Sequence, residues 1–381
     1  MKLTRKEFLA LTGKSVVGFS LLGSLWGKTF GSSRDVQNML GEAMIEVKTK
    51  KLILKHTWTI SRNSSDFKQN VFVKLEKDGI VGYGEAAPNV RYGENAQLTT
   101  RRINEAKKIF QGKDFFHYID IKKELDSTIT DQSCAKAALD IALMDWIGKA
   151  LNVPLYKMWG LNPAEAPLTS FSIGIDTVEM IKQKVREAEE FPILKIKVGT
   201  DRDEEIIGAV RSVTDKPIRV DANEGWKTKE EALERIQWLK SQGVEFIEQP
   251  MPAEMLEETA WLRERSPMPI VADEAVKTAA DIPKLARAYD GINIKLMKSG
   301  GLLEALKMIQ IAKALNMKIM IGCMIESSVA ISAAAMLGPY VDWLDLDGNL
   351  LISNDPFSGV KVKKGKLIYN DKPGIGVEGE F

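Results

Sequence analysis

From Pro167 onwards, short apolar runs alternate with longer segments in which apolar residues recur at helical spacing. Such runs between turn residues are typical of buried strands, and the segments between them predict amphipathic helices. The predicted strands are Leu168–Ile173, Ile193–Val198, Ile218–Val220, Phe246–Ile247, Ile270–Ala272, Ile292–Leu296, Lys318–Ile321 and Trp343–Leu346. The predicted helices are Val178–Glu190, Glu204–Val213, Lys229–Gln242, Glu254–Arg265, Ala279–Ala288, Leu302–Leu315 and Ser327–Leu337. This alternation predicts an α/β fold over residues 166–347, a (β/α)8-type barrel of modified TIM form whose eighth helix is missing or altered.

Residues 44–165 carry a different pattern, with strands first and helices afterwards. Apolar and polar residues alternate from Val71 to Glu76, a turn signal follows at Lys77-Asp78-Gly79, and Ile80 to Tyr83 returns, which predicts a hairpin. Helices are predicted at Ala96–Phe110 and Ser133–Leu151. This part therefore predicts an α+β capping domain. The tail, 348–381, contains one further predicted strand pair (Val360–Val362 and Leu367–Tyr369) and is expected to fold back onto that domain.

The first 34 residues do not continue either pattern. A basic start is followed by a mostly apolar stretch from Phe8 to Trp26, interrupted by Lys14. The stretch is too short and too interrupted for a stable membrane span, but it suits a signal peptide. The run Arg5-Lys6-Glu7-Phe8-Leu9 resembles a twin-arginine export motif with lysine in its second basic place. We therefore predict export to the periplasm, with an uncleaved leader on a cytoplasmic protein as the alternative.

The composition restricts the chemistry that the chain can perform. The 53 basic side chains almost balance the 52 acidic ones, which argues against a nucleic-acid partner. With two histidines and two cysteines in 381 residues, a Ser/His/Asp triad, a histidine-rich zinc site and a disulfide framework are all disfavoured. Lysine and carboxylate chemistry remains available.

Charged residues recur where the predicted strands end. Lys195 and Lys197 lie two residues apart on one apolar strand, so both point to the same face, and lysine is rarely buried without a partner. Asp221, Glu248 and Asp273 end the next three strands, each about one strand–helix repeat after the last. Singly, the strand could be an edge with a solvated face, and an aspartate could be a helix cap. Together they predict a ring of charge at one end of the barrel.

Three carboxylates this close would repel each other unless a cation joined them. Oxygen ligands with open positions suit Mg²⁺, so Asp221, Glu248 and Asp273 are predicted to hold one Mg²⁺ per subunit. Lys197 and Lys295 lie on the second and sixth strands, on opposite sides of the ring, which suits proton transfer on either face of one carbon. Neighbouring cations and partial burial are expected to lower a lysine pKa, and Lys195 is expected to stabilise charge on substrate oxygens.

The set of residues resembles the enolase superfamily, specifically its muconate-lactonising subgroup. The resemblance rests on Lys195-x-Lys197, the ligand trio and Lys295, and covers nearly all the chain after the leader. The mandelate-racemase branch would place a histidine on the barrel, and none follows His117. Within the subgroup, Asp345-Leu346-Asp347 resembles the Asp-x-Asp motif of dipeptide epimerases, in which both carboxylates hold a substrate ammonium group. The segment 293–301 also resembles theirs.

The resemblance implies inversion at the α-carbon of the C-terminal residue of a dipeptide, with Lys197 and Lys295 exchanging the proton. In this family a mobile loop of the capping domain covers the site, and here it includes Thr59-Ile60-Ser61-Arg62. Arg62 resembles the arginine that meets the distal carboxylate in L-Ala-D/L-Glu epimerases; an exposed loop arginine is the alternative, and Arg91 and Tyr92 are weaker candidates. The implied substrate is the murein dipeptide Ala-Glu.

Other functions on the same scaffold remain open from the sequence. These are muconate cycloisomerase-like, N-acylamino-acid racemase and o-succinylbenzoate synthase activities, and, from another class, a catalytically inactive barrel that only binds. The partners expected are a small dipeptide substrate and further copies of the chain in a homo-oligomer.

Overall fold

The computed structural model describes residues 41–381. The predicted leader, 1–34, lies outside them, so its export remains a prediction. The described part begins with an antiparallel sheet of three strands in the order β1 (Met44–Ile60), β2 (Asn63–Lys77) and β3 (Ile80–Ala86). The hairpin predicted around Gly79 is confirmed as the β2–β3 pair, in which Leu75 opposes Gly82.

The segment Thr59–Arg62, predicted to belong to a mobile covering loop, forms the tip of a long β1–β2 hairpin, with its turn at Ser61 and Arg62. The backbone pairing of the two strands continues to Ile60 and Asn63. The hydroxyl groups of Thr59 and Ser64, a pair next to the turn, are also hydrogen-bonded at 2.8 Å. The register shifts between Ile53 and Trp58, and a bulge of this kind bends a hairpin. The Ile175 N–H donates to the Thr59 carbonyl at 2.9 Å, which ties the hairpin tip to the first strand–helix unit of the barrel.

The helices of the capping domain pack behind this sheet. They are α1 (Ala96–Ala106), α2 (Tyr118–Thr128), α3 (Ser133–Ala150) and α4 (Leu155–Met158). Most of α3 is buried because it lies between the sheet and the barrel. Gly84 permits the close approach of β3 to α3, since a Cβ there would lie 1.9 Å from the Ala138 carbonyl oxygen.

Eight parallel strands follow, each hydrogen-bonded to the next in chain order. The strands are β4 (Phe171–Ile173), β5 (Leu194–Lys197), β6 (Ile218–Asp221), β7 (Val244–Glu248), β8 (Ile270–Ala272), β9 (Gly291–Lys295), β10 (Lys318–Gly322) and β11 (Trp343–Asp345). A bridge between Thr169, two residues before β4, and Leu344 of β11 brings the two ends of the sheet together. The predicted barrel with its capping domain is therefore confirmed.

The helices around the barrel match the predicted series with two differences: one predicted helix is shorter, and the short helix that follows β9, Leu296–Ser299, was not predicted. They are α5 (Val178–Glu187), α6 (Asp203–Arg211), α7 (Lys229–Ser241), α8 (Leu256–Arg263), α9 (Ile282–Leu285), α10 (Leu296–Ser299), α11 (Leu302–Ala314) and α12 (Ser328–Ala335). The helix predicted at Ala279–Ala288 is a 3₁₀ turn, Ala279–Asp281, followed by the short α9. Pro283 lies at the start of α9, where a missing N–H is tolerated, so the helix begins late.

Inward-facing side chains close one end of the barrel. Phe246, Val271 and Met320 form a separate buried cluster with Trp343 packed against it, and the Arg219 guanidinium lies 5.4 Å from the centre of the Phe246 ring. Arg219, Phe246, Val271 and Trp343 each lie two residues before a charged strand end, on the same inner face. The interior is therefore filled at the floor and charged at the mouth.

The C-terminal tail returns to the capping domain, as predicted. It forms the hairpin β13 (Lys361–Lys363) and β14 (Lys366–Ile368), and a second pair from β12 (Phe357–Ser358) and β15 (Glu378–Gly379). The Phe357 ring stacks on Phe72 of β2, with ring centres 5.9 Å apart. Within residues 41–381, no helix combines the length and apolar character needed to span a bilayer.

Candidate active site

Three buried carboxylates meet at the mouth of the barrel. Asp221 and Glu248 are register partners at the ends of β6 and β7, and Asp273 follows β8 directly. One oxygen of each lies within 4.8 Å of the others. Glu248 Oε2 has no hydrogen-bond partner among the described residues, and burial followed by repulsion from Asp221 raises the pKa of Glu248. A set of hard oxygen ligands, one of them a buried oxygen that lacks a hydrogen-bond donor of good geometry, fits a divalent cation such as Mg²⁺.

Lys197 and Lys295 flank this carboxylate cluster from β5 and β9, which are four strands apart in the ring of eight. The Lys197 ammonium lies 2.6 Å from Asp221 Oδ2, and that of Lys295 lies 2.8 Å from Asp273 Oδ2. For Lys295 the predicted lowering of the pKa is wrong: burial opposes its charge, but Asp273 and Glu248 outweigh burial and raise the pKa. The prediction considered neighbouring lysines and did not include the attraction of the carboxylates.

Lys195 is more deeply buried than Lys197 and joins two parts of the site. Its ammonium lies 2.7 Å from Asp345 Oδ2 and 2.7 Å from Glu248 Oε2, although only the first contact has hydrogen-bond geometry. Burial opposes the charge of Lys195, but Asp345 and Glu248 attract it more strongly and raise its pKa. Lys195 is therefore a fixed cation that links the carboxylate cluster to the end of β11.

Asp345 and Asp347, predicted to act as equals, have different surroundings. Asp345 binds Lys195 through one oxygen and accepts from the Ser170 hydroxyl at 2.7 Å through the other. Asp347 accepts from the backbone N–H of Ser172 at 2.6 Å, and burial followed by repulsion from Asp345 raises its pKa. Both line the same cavity as the two flanking lysines. Because Asp345 already binds a cation, Asp347 is the carboxylate better able to accept a further one.

Two residues that the sequence reasoning did not assign hold the carboxylates in place. The buried Lys298 ammonium lies 2.5 Å from Asp273 Oδ1, and Asn293 Nδ2 donates to Glu248 Oε1 at 2.8 Å. The sequence carried a signal for each. Lys298 interrupts the apolar run that follows β9, and Asn293 lies two residues before Lys295, on the same inner face.

Arg62 reaches the mouth of the barrel from the hairpin tip, but it is already paired. Its Nη1 donates to the Asn223 carbonyl at 2.6 Å and to Glu224 Oε2 at 3.0 Å, and its Nη2 donates to Glu274 Oε1 at 2.6 Å. Arg91 binds both oxygens of Glu224 at 2.8 Å. Asn223 and Glu224 have left-handed backbone conformations, and this turn after β6 brings the Glu224 carboxylate to the two arginines.

A cavity of about 480 Å³ lies between the capping domain and the barrel, beside these groups, and some of them line it. The β1–β2 hairpin and residues 87–96, including Tyr92, form its roof, and the barrel mouth forms its floor. The flanking lysines, Asp273 and the Asp345–Asp347 pair all open into it. The volume suits a ligand of the size of a dipeptide, and the polar groups that converge on it are typical of an enzyme active site.

The barrel, its capping domain and this arrangement of lysines and carboxylates define a class. Residues 177–380 match the family model described as "Enolase C-terminal domain-like", and residues 44–160 match "Mandelate racemase / muconate lactonizing enzyme, N-terminal domain". The chain belongs to the enolase superfamily, as the resemblance predicted. It is a Mg²⁺-dependent isomerase of the racemase and epimerase kind.

The proteins most similar to this chain include dipeptide epimerases, a narrower class within the superfamily. The chain is 49% identical over 329 residues to the L-Ala-D/L-Glu epimerase of Bacteroides thetaiotaomicron, covering 86% of this chain and 85% of that protein. A substrate-liganded complex of the L-Ala-D/L-Glu epimerase from Bacillus subtilis superposes with a TM-score of 0.85 at 29% identity, covering 89% and 99% of the two chains. A dipeptide epimerase from Cytophaga hutchinsonii, complexed with Mg and D-Ala-L-Val, gives a TM-score of 0.85 at 27% identity, covering 90% and 96%.

Proposed function

We propose that this protein is a dipeptide epimerase that inverts the α-carbon of the C-terminal residue of a dipeptide by transferring a proton between its two faces. The observation that carries the proposal is the placement of Lys197 and Lys295 on opposite strands of the ring, beside the same carboxylate cluster. A carbon held between them can lose a proton to the neutral amine of one lysine and regain a proton from the ammonium group of the other.

The remaining groups bind and orient the substrate. Asp221, Glu248 and Asp273 would hold Mg²⁺, which supplies positive charge to a substrate carboxylate and so stabilises the electron pair left when the α-proton departs. Asp347, supported by Asp345, accepts hydrogen bonds from the substrate ammonium group. This fixes the dipeptide from strand β11 across to the carboxylate cluster, with its α-carbon over the centre of the barrel.

We propose Ala-Glu as the substrate, as the name of the Bacteroides relative suggests. Arg62 supports this assignment, because it lines the cavity and keeps two of its five N–H groups after binding Asn223, Glu224 and Glu274. A distal carboxylate could accept from these two. If the substrate derives from murein, export through the leader would bring the enzyme close to its source.

The experiment that tests the function is turnover of a dipeptide library in deuterated water, followed by mass spectrometry and chiral chromatography. Epimerisation with α-deuteration of the second residue is expected, highest for Ala-Glu. Epimerisation without deuterium incorporation, or exchange restricted to the first residue, would contradict the proton-transfer scheme.

The alternatives on this scaffold differ in whether they need an ammonium group. A cycloisomerase or an N-acylamino-acid racemase acts on substrates without one, so Asp347→Asn should leave such activities nearly intact. For a dipeptide epimerase, Asp347→Asn should raise KM by about tenfold or more, since a charge-assisted hydrogen bond becomes a neutral one. Equal activity of the wild-type protein on N-acetyl-Ala-Glu would contradict the ammonium role.

Location and assembly are separate proposals. We propose export to the periplasm from the basic and apolar character of the leader, and a homo-oligomer in solution. Cell fractionation with N-terminal sequencing tests the first, and recovery of the intact leader from the cytoplasm would contradict it. Light scattering on the purified protein tests the second, for which a monomeric mass would be the contrary result.

A further inference from the structure

Arg62 at the hairpin tip and Arg91 in the 87–96 segment belong to a cluster that has no net charge to offer a ligand. Arg62 binds both Glu224 and Glu274, and Arg91 binds Glu224 through two hydrogen bonds. The two arginines and two glutamates sum to zero formal charge. A substrate carboxylate placed beside Arg62 would find hydrogen-bond donors but also two competing carboxylates.

Lys68 is a second cation in the roof of the same cavity, and its surroundings are different. It lies two residues before Asn70 on β2, so the two side chains share a face of the strand. Asn70 donates to the Ile325 carbonyl at 3.0 Å, which shows that this face looks down on the barrel mouth. Lys68 is half-buried and lines the cavity with Asn70.

Nothing in the described residues 41–381 neutralises Lys68. Its ammonium group has no salt-bridge or hydrogen-bond partner there, and burial alone lowers its pKa, without an opposing carboxylate. A half-buried lysine without a counter-charge is partly dehydrated, and in the free protein no ion pair or hydrogen bond offsets the free-energy cost of that dehydration. A negatively charged ligand group in the cavity would restore the balance.

The geometry of the reaction places the substrate side chain near this roof. When the α-proton leaves, the remaining three substituents of the α-carbon lie in one plane, between Lys197 and Lys295. The carboxylate substituent is directed to the cluster on β6, β7 and β8, and the amide nitrogen towards the end of β11. The floor below is filled by Lys195 and the buried cluster around Phe246. The third substituent, the side chain of the second residue, therefore points to the capping domain.

We propose that Lys68 is a specificity-determining residue that binds the distal carboxylate of an acidic second residue, supplying the uncompensated positive charge that Arg62 lacks. This inference rests on the proposed dipeptide epimerase function. Arg62 then orients the carboxylate through its remaining N–H groups, while Lys68 makes a charged side chain preferable to a neutral one of the same shape.

The test compares Ala-Glu with Ala-Gln, which differ in charge but hardly in shape, in the Mg²⁺-loaded enzyme. For Lys68→Met we expect KM for Ala-Glu to rise by about tenfold, as for the loss of one charge pair at a partly buried site, with kcat and the KM for Ala-Gln little changed. Lys68→Arg should retain the preference for Ala-Glu. Lys74→Met is the matched control, because Lys74 lies on the same strand and face, pairs with Glu76 and lies outside the cavity.

Several results would overturn the proposal. These are a wild-type enzyme that does not distinguish Ala-Glu from Ala-Gln, a Lys68→Met enzyme that loses both substrates equally or neither, and an effect confined to an acidic first residue. A wild-type enzyme that deuterates none of these dipeptides would instead contradict the proposed function itself. Melting temperatures of all variants, expected to agree closely, separate a specificity effect from a folding defect.

Discussion

At the residue scale, each buried lysine of the site contacts a carboxylate from another strand or loop. Lys197 pairs with Asp221, Lys295 with Asp273, and Lys195 with Asp345. Buried ion pairs of this kind add little to stability, because desolvation offsets the attraction, but removing one partner is costly. Their value here is positional: each ammonium is held at a known place relative to the carboxylate cluster.

The opposite placement of the two flanking lysines predicts a difference between stereoisomers. Lys197→Met should lower epimerisation by about 10³-fold, because one face of the carbon loses its proton-transfer group, while exchange continues from the isomer whose proton faces Lys295. Lys295→Met should show the reverse. NMR of α-proton exchange in deuterated water measures both, with Lys123→Met, an exposed lysine of α2, as control. Exchange of the same isomer by both variants would contradict opposite placement.

The charged strand ends were predictable from the sequence, because barrel topology brings consecutive strand ends to one rim. The partners of Arg62 were not. Two of them, Asn223 and Glu224, have left-handed backbone conformations, which glutamate rarely adopts, so this turn carries no glycine signal in the sequence. The direction of the Lys295 pKa shift was also wrong in the prediction, since it required distances to three carboxylates.

At the element scale, the close contact of β3 with α3 fixes the capping domain that roofs the cavity. Gly84→Val should destabilise the protein by about 3 kcal/mol or more, because the new side chain must push β3 away from the Ala138 carbonyl. Urea unfolding measures this. Gly208→Ala, in α6 with no atom within 4 Å of the added Cβ, is the matched control and should be neutral or stabilising by about 0.5–1 kcal/mol. Equal stability of Gly84→Val and wild type would contradict the packing.

Asp140 of α3 joins the capping domain to the barrel by accepting from the Leu302 N–H at the start of α11. Burial, offset in part by Lys122, raises its pKa to about 7. Since the pKa of an unfolded aspartate is about 3.9, the folded state binds a proton more tightly, and this contribution to stability is lost as pH rises from about 4 to 7. Asp140→Asn should remove this decrease in the free energy of unfolding with rising pH, because asparagine does not titrate. Urea unfolding at pH 5 and pH 8 checks it, and an equal effect of Asp140→Asn at both values would contradict it.

Helices and strands with a long pattern of apolar and polar residues were easier to predict than short ones. Most of the long periodic helices and the apolar strands were found within a few residues, because burial on one face fixes their spacing. The helix α2 was not predicted. The short α9 was overestimated since Pro283 delays its start, and the strands were not predicted to continue as far as the turn at Ser61 and Arg62. Residues 59–64 lack an apolar alternation there, and polar cross-strand pairs such as Thr59 with Ser64 extend the ladder instead.

At the scale of the whole molecule, the capping domain and the barrel share buried polar contacts as well as the cavity. Glu85 at the end of β3 accepts from the N–H groups of Ser327 and Ala330 at the start of α12, and from Asn70 of β2. Asp145 of α3 accepts from the backbone N–H of Ile375, which holds the tail against the capping domain. The roof that carries Lys68 is thus tied to the barrel mouth at several points.

The same connection predicts how Mg²⁺ affects the fold. Asp221, Glu248 and Asp273 come from three successive strands, so a cation that binds all three stabilises the folded chain and has no comparable site in the unfolded one. At a Mg²⁺ concentration of about 100 times Kd the gain is about 2.7 kcal/mol, which for a protein of this size raises Tm by about 4 °C. Differential scanning fluorimetry with Mg²⁺ or with NaCl of equal ionic strength measures the shift. Glu248→Gln should abolish it, whereas Glu245→Gln, an exposed carboxylate of the same strand, should retain it. A shift that survives Glu248→Gln would place the cation elsewhere than on these three strands.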